Sequence, residues 1–426
     1  MRIVYLNQSY PPMISGAAIV VERLAKLMAA RGHSVLVIAA SDKGKGYISE
    51  KGNLRVVRLA SITNPKRSHQ RFTPGPFGRI AREIVAFHPD IIHLHDVLSF
   101  GIAGLRVGRR AKIPVVATIH QLPWFICAYL PSFPGLKPTI EKVLWLYSRW
   151  LNQRCERMIV PTTTISKTIE AQAGFSTTVI SNGVDLDCFR TNCDHPRDVS
   201  YLYRLLGLEP EKPIILHVGR LDVDKCVELV IRAAAMAMER VDSQLLVVGD
   251  GKCRKALMDL ANCLGIGGRS YFPGFLNPKT EIPAVYRMAS VFTTASEIET
   301  QGLVLLEAMA SELPVVATNS TCLPEIIKND LNGYLVPPGD VTAISNRLVD
   351  ILNDPAKARQ MGKTGRLIAQ SHSIEKSMDR HEEFYRSTLK DYQVPEIPKI
   401  SVQKKSTDRK IHEVYRSILD QLGRSQ

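Results

Sequence analysis

The chain has 426 residues, 45% hydrophobic and 23% charged, enough for two or three domains of about 150 residues each with cores of their own. That balance excludes collagen-like, disulfide-scaffold and disordered classes, and no run of eighteen apolar residues exists to cross a membrane. The net charge of +14 lies wholly in the first half: residues 1–190 carry 25 Lys and Arg against 11 Asp and Glu, whereas residues 191–426 carry 30 against 30. A basic half reads either as a surface for an anionic partner (a membrane, an acidic substrate) or as a solubilising face. Nucleic acid is the weaker option, because no module interleaving aromatic and basic residues is present.

The first twelve residues, MRIVYLNQSYPP, lack a charged segment followed by a long apolar one, so they read as a first strand and not as a secretory signal. After them, Val35–Ala39, Ile91–His95, Val115–His120 and Arg157–Pro161 are apolar strands, with helix-period segments such as Val20–Arg31 between them. The pattern restarts with strands at Ile214–Gly219, Leu245–Gly249, Val291–Ala295 and Pro314–Thr318, and helices near 226–240, 252–264 and 302–311. Continuous apolar strands alternating with helices predict parallel sheets covered on both faces, and two series predict two doubly wound α/β domains facing a cleft. The polar stretch 191–212 is the expected linker. Eight cysteines form no C-x-x-C pair and no zinc spacing, which points to reduced thiols in the cytoplasm. Beyond residue 392 the chain turns polar and basic, and Ile411, Val414, Tyr415, Ile418, Leu419 and Leu422 form one apolar helical face.

Two βα turns carry candidate chemistry. GRLDVDK at 219–225 follows a buried strand and can set Arg220, Lys225 and helix amides around one anion, a phosphate being the obvious guest; it also reads as an ordinary polar loop. It contains neither a Walker A sequence nor a G-x-G-x-x-G fingerprint. In SEIETQGLVLLEAMA at 296–310, Glu299 sits at the mouth of a strand–helix turn and Glu307 is expected two helical turns along the same face. Two such carboxylates can accept pairs of hydroxyls, as from a sugar and a ribose either side of a diphosphate. His93, His95 and Asp96 could pass for a metal cluster, but alternating histidines without a third ligand read as structural, so no metal is assigned.

These motifs, with YPPMISGAAIVVERLAKLMAARGHSV, HPDIIHLHD, VISNGVDLDCF, GDG, YFPGF and NGYLVPPGD in the same order, resemble glycosyltransferase family 4, retaining enzymes of the two-Rossmann GT-B fold. The resemblance spans about residues 1–390. It implies an N-terminal acceptor-side domain over 1–190, a nucleotide-sugar-binding domain over 213–371, and a terminal helix, 372–392, returning to the first domain. The basic tail 393–426 lies outside it. Arg220 and Lys225 would neutralise the donor diphosphate, and Gly16 would let the first-domain loop approach it. Glu299 would hold hydroxyls of the transferred sugar beside the amides of Thr300, Gln301 and Gly302; Leu303 and Val304 would face the phosphate; Glu307 would bind the ribose. His120 matches the family's histidine near sugar and acceptor. No cofactor is implied beyond the nucleotide-sugar co-substrate.

Pro12–Gly16 and the E-T-Q-G at 299–302 are similar to bacterial diacylglycerol glucosyltransferases, which suggests UDP-glucose as donor, with GDP-mannose and UDP-galactose open. Glu312 stands where the family has Gly at a helix end. Trp124, Phe125 and Tyr129, near His120, are the candidate acceptor entrance, whereas Trp145 and Trp150 read as core. With Lys66, Arg67, Arg71, Arg79, Arg82, Arg106, Arg109, Arg110 and Lys112 in the same domain, they favour a lipid acceptor and an enzyme held at the inner face of a membrane. A soluble acceptor is the alternative, and a nucleotide-sugar epimerase or a non-catalytic nucleotide-binding protein a further one.

Overall fold

The computed structural model describes residues 1–13, 15–63, 71–127, 136–189 and 199–393. Tyr129, Lys66, Arg67 and the tail from 394 lie outside them, as do the side chains of Phe125 and Ile126.

The first sheet has eight strands in the order Thr178–Val179, Arg157–Val160, Val115–Thr118, Ile91–Leu94, Arg2–Leu6, Ser34–Ala40, Leu54–Leu59 and Tyr47–Lys51. All pairings are parallel except the last, where Tyr47–Lys51 lies antiparallel on Leu54–Leu59. The second sheet has six parallel strands in the order Ser270–Gly274, Gln244–Val248, Ile214–Val218, Val291–Thr294, Val315–Thr318 and Gly333–Val336. The expected strands form within a residue or two. They read as unbroken apolar runs because helices cover both faces: Ile3, Val4, Tyr5 and Leu6 are all sealed from solvent, as are Ile214, Ile215 and Leu216. Each sheet therefore carries two apolar layers, one per face.

In each sheet the order of the parallel strands reverses once, between Arg2–Leu6 and Ile91–Leu94 in the first and between Ile214–Val218 and Val291–Thr294 in the second. At such a reversal the loops leaving adjacent strands part to opposite faces and leave a crevice at the carboxyl edge, where ligands bind. The loops at that edge are 7–13 and 95–98 in the first sheet, and 219–226 and 295–302 in the second.

Within the stretch read as linker, Val199–Leu206 is a helix, and Leu202 is buried in the second sheet's apolar layer. The chain passes between the sheets at 181–184 and returns at 372–374. The two passages pair: Val184 N–H donates to His372 O and Ile374 N–H to Val184 O, both at 2.9 Å. Gly183 has a φ of +77°, and a Cβ there would stand 2.8 Å from Ile374 Cα, so the crossing needs glycine. The helix Ile374–Asp391 then packs Ile374, Met378, Phe384 and Tyr385 against Ile3 and Tyr5 of the first sheet. Burying each such side chain contributes about 1.5–3 kcal/mol.

Candidate active site

Arg220 and Lys225 leave the second sheet at its reversal, on the loop after Ile214–Val218. The loop is held from beneath by Gly249, with φ +131°, where a Cβ would lie 1.8 Å from Gly219 O. A 3₁₀ turn, Val223–Lys225, and the helix Val227–Met238 follow. The Arg220 guanidinium donates to the carboxylates of Asp222 and Asp224, the latter at 2.8 Å. Lys225 Nζ lies 2.5 Å from Glu299 Oε1 across to the neighbouring loop. Lys225 and Glu299 are thus brought together, with Arg220 on the same turn, and carboxylates orient both cations where an anionic ligand would compete for them.

Glu299 is not on the helical face of Glu307. The helix begins only at Leu303, after Gly302, which caps it without a side chain, and Glu299 sits in the preceding loop. There its N–H donates to Thr321 Oγ1 at 3.2 Å, and Cys322 Sγ–H donates to its carbonyl at 3.4 Å. The left-handed Gly302 interrupts the helical period that the eight-residue spacing implied. Leu303 and Val304, in the first turn, are half-buried.

Glu307 lies inside the helix and is committed on both oxygens. Oε1 is 3.4 Å from Arg23 Nη2, on the first-domain helix Gly16–Ala30, and Oε2 accepts from Tyr286 Oη–H at 3.2 Å. Burial pushes its carboxyl above the usual range, against the opposing pull of Arg23 and the tyrosine hydroxyl. Neither partner was legible in sequence, where Arg23 is one basic residue of an amphipathic helix and Tyr286 one aromatic of an unremarked one.

Gln301 is expected to offer its backbone amide, and its side chain is committed elsewhere. Its side chain is 2% exposed and turned away from the cation cluster, accepting from Asn182 N–H at 3.0 Å and donating to Ser181 Oγ at 2.5 Å. It ties the Glu299 loop to the crossing segment, leaving only its backbone for a donor. Thr300 also bridges the cleft: its carbonyl accepts from Thr162 Oγ1–H at 3.0 Å and its hydroxyl donates to His120 O at 3.4 Å.

On the first-domain side, Gly16 opens its helix, Ser15 Oγ capping it by accepting from Ala18 N–H at 3.1 Å, and the space beside the Gly16 Cα is empty. His120 stands two residues beyond the strand Val115–Thr118, and its Nε2 lies 2.8 Å from His95 Nδ1. Burial lowers its pKa to about 4, so it is neutral near pH 7. Asp96 turns its Oδ1 back to Leu98 N–H at 2.7 Å, and burial raises its carboxyl to about 6. Among the described residues, no three His, Cys, Asp or Glu side chains gather as metal ligands would.

Trp124 is half-buried, edge-on to the buried Trp145 with ring centroids 5.9 Å apart. Trp150 packs on the same layer, stacked on Tyr147 at 5.4 Å and covered by Arg154 at 4.3 Å. Tyr147 Oη–H donates to Val97 O, which places the helix Leu136–Asn152 beside the crevice loop, where Leu98 is 43% exposed, as Leu146 is 54%.

Residues 14–188 match the family described as Glycosyltransferase Family 4, and residues 204–368 the one described as Glycosyl transferases group 1. A sulfoquinovosyl transferase of Arabidopsis thaliana is 31% identical over 345 residues, 79% of this chain and 63% of the plant protein, so this chain spans under two thirds of that relative's length. An alpha-monoglucosyldiacylglycerol synthase of Streptococcus pneumoniae is 26% identical over 337 residues, 79% of this chain and 75% of that one. Among solved structures, a sucrose-phosphate synthase of Thermosynechococcus elongatus superposes with a TM-score of 0.76 at 23% identity, over 92% of this chain and all of that one.

Proposed function

The chain belongs to glycosyltransferase family 4, has the GT-B fold and uses nucleotide sugars, and from that premise we propose that it transfers a hexose, with retention, to a lipid acceptor such as diacylglycerol at a membrane surface. UDP-glucose is the donor proposed. The observation that carries the lipid reading is the surface beside the first-domain crevice. The Tyr147–Trp150 stack lies under Arg154 there, Leu98 and Leu146 are exposed, and the helices Phe77–Phe87 and Ser99–Ala111 carry Arg79, Arg82, Arg106, Arg109 and Arg110. Arg106 lies over the Phe77 ring at 5.0 Å, an apolar body under a charged head. Such a face suits an anionic lipid–water boundary, each cation contributing about 1 kcal/mol when close to it. The name of the pneumococcal relative, which carries diacylglycerol, agrees with this reading.

In the proposed reaction, Arg220 and Lys225 leave their carboxylate partners for the donor diphosphate and stabilise the charge it gains as it departs. Gly16 lets the first-domain loop come close to it. Glu299 accepts hydroxyls of the sugar beside the amides of Thr300, Gln301 and Gly302, and Glu307 accepts those of the ribose. Leu303 and Val304 amides face the phosphate, and His120 faces the sugar. The bond from the anomeric carbon to the diphosphate oxygen breaks as the bond to the acceptor oxygen forms on the same face. The departing oxygen takes the acceptor proton, so the step balances with no further base and no metal. Rate then derives from orientation and leaving-group stabilisation. Trp124 borders the acceptor path in this reading, and Phe125 is the other residue expected there, its side chain lying outside those described.

The deciding measurement is nucleoside diphosphate release from a panel of UDP- and GDP-sugars, with and without diacylglycerol in anionic vesicles, products being analysed for glycolipid. Release that requires the lipid, with a new glycolipid, supports the proposal. Transfer to a water-soluble alcohol or sugar without vesicles overturns the lipid acceptor, and isomerised donor without transfer overturns the transferase reading.

A further inference from the structure

Under the first sheet's carboxyl edge, four histidines from three elements gather around two tyrosines. His93 and His95 alternate at the end of Ile91–Leu94 with ring centroids 4.1 Å apart, and His95 stacks on His120 at 5.1 Å. His381, on the terminal helix, lies 6.3 Å from His93. His93 is fully satisfied: Nδ1 is 2.7 Å from Tyr385 Oη and Nε2 is 2.7 Å from Thr118 Oγ1. Tyr385 Oη in turn is 3.3 Å from Tyr5 Oη, and His381 Nδ1 is 2.8 Å from Ser377 O. His95 is different. Its Nδ1 meets His120 Nε2 at 2.8 Å, while its Nε2 is buried with no hydrogen-bond partner among the described residues.

That asymmetry decides where the protons lie. His93, His95, His120 and His381 are all held neutral by burial, so each ring has one N–H and one bare nitrogen. If His120 Nε2–H donated to His95, the proton of His95 would sit on Nε2, a buried donor with nothing to receive it. Orphaned N–H groups are the rarer and costlier kind of unsatisfied group. With the proton on His95 Nδ1, only a bare nitrogen is left unpaired, and His120 Nε2 accepts. The single proton of His120 is then on Nδ1, which bonds to no described residue, on a ring that is only half-buried.

We propose that His95 is a positioning residue: its Nδ1–H donates to His120 Nε2 and fixes His120 in the tautomer that presents Nδ1–H to the cleft, as a hydrogen-bond donor to a hydroxyl oxygen of the transferred sugar. This rests on the placement of His120 beside the sugar proposed above. It makes His120 a donor and not a base. The terminal helix belongs to the same device, because Tyr385 and His381 close the far side of the His93–His95 stack.

The test uses the whole chain with ¹⁵N-labelled histidine. Long-range proton–nitrogen correlation near neutral pH separates protonated from bare ring nitrogens, the His120 signals being assigned by their loss in His120→Gln. The expected result is a protonated Nδ1 on His120 in the unaltered protein, and loss of that preference in His95→Phe. For turnover, His95→Phe is expected to lower kcat about tenfold, the worth of one such hydrogen bond, with the donor KM little changed. His95→Asn, whose amide N–H falls where Nδ1–H was, is expected to regain most of that kcat; His95→Gln, whose amide falls at Nε2, is not. A His120 protonated on Nε2 overturns the proposal, as does equal kcat in the Phe and Asn variants. The tautomer is read without turnover, so failure of the transferase reading leaves this test intact.

Discussion

Arg23 and Glu307 meet across the cleft at 3.4 Å, one from the first domain's leading helix and the other from the helix that follows Glu299. Among the described residues the guanidinium is the one charged group set against Glu307, and it works against burial, which pushes the carboxyl up. Arg23→Gln removes that pull. The carboxyl should then ionise at higher pH, so nucleoside diphosphate binding, which needs a carboxylate to receive ribose hydroxyls, should reach half-strength at higher pH than in the unaltered protein. Calorimetric titration across neutral pH checks this, and an unmoved midpoint removes the role of Arg23.

Lys225→Ala addresses the leaving group. Its ammonium holds Glu299 at 2.5 Å with both side chains 15% exposed, so the folded protein should lose about 1 kcal/mol. Turnover should fall about 10²- to 10³-fold, as when one preorganised donor to a developing charge is removed. Normal kcat in a folded variant would show that this lysine does not stabilise the departing group.

Glu312 occupies the left-handed region, φ +58°, immediately after the helix Leu303–Ala310 and its cap Ser311. A side chain there costs about 1–2 kcal/mol that glycine avoids, offset in part by the greater freedom of unfolded glycine. Among the described residues the only ion pair forfeited is a long one, Arg366 Nε to Oε1 at 3.9 Å. Glu312→Gly should therefore stabilise by about 0.5–1 kcal/mol in urea unfolding. A lower midpoint would mean that the glutamate has a partner worth more than its strain.

Stability should fall as pH drops from about 6.5 towards 4. His93, His95, His120, His217 and His381 all have folded pKa values lowered by burial, so the unfolded chain takes protons first and their contribution, full above 6.5, is lost on acidification. Asp96 acts oppositely: raised from 3.8 to about 6, it favours the folded state as pH falls through that range. Asp96→Asn keeps an acceptor for Leu98 N–H, so it should raise stability at neutral pH and steepen the acid loss. An unchanged profile in denaturant melts would mean that the carboxyl is not desolvated.

The strands were legible because parallel sheets buried on both faces need unbroken apolar runs, and the cation loop because it follows such a run directly. Glu299 and Glu307 were found by spacing, but their relation was misjudged, since the period was counted through Gly302, where the helix has not begun. Gln301 illustrates a second limit. Nothing in E-T-Q-G reveals that its amide will face Ser181 and Asn182, 119 positions away from the latter, because that pairing is made by how the sheets meet. Arg23, Tyr286 and Tyr385 are invisible for the same reason. The edge strand Tyr47–Lys51 was missed because only its first residue escapes full exposure, so it shows no apolar face.

The return of Ile374–Asp391 to the first sheet has a consequence for how the protein is made. Tyr385 completes the layer that contains Ile3 and Tyr5, yet it leaves the ribosome some 380 residues after them. Domains on a growing chain ordinarily settle in order, the N-terminal one first. Here the N-terminal one must wait, with the space for Tyr385 unfilled and His93 short of a partner, until the chain has been synthesised past residue 385. The half that starts first is the half that finishes last, and a nascent chain halted before residue 374 should remain a client for chaperones.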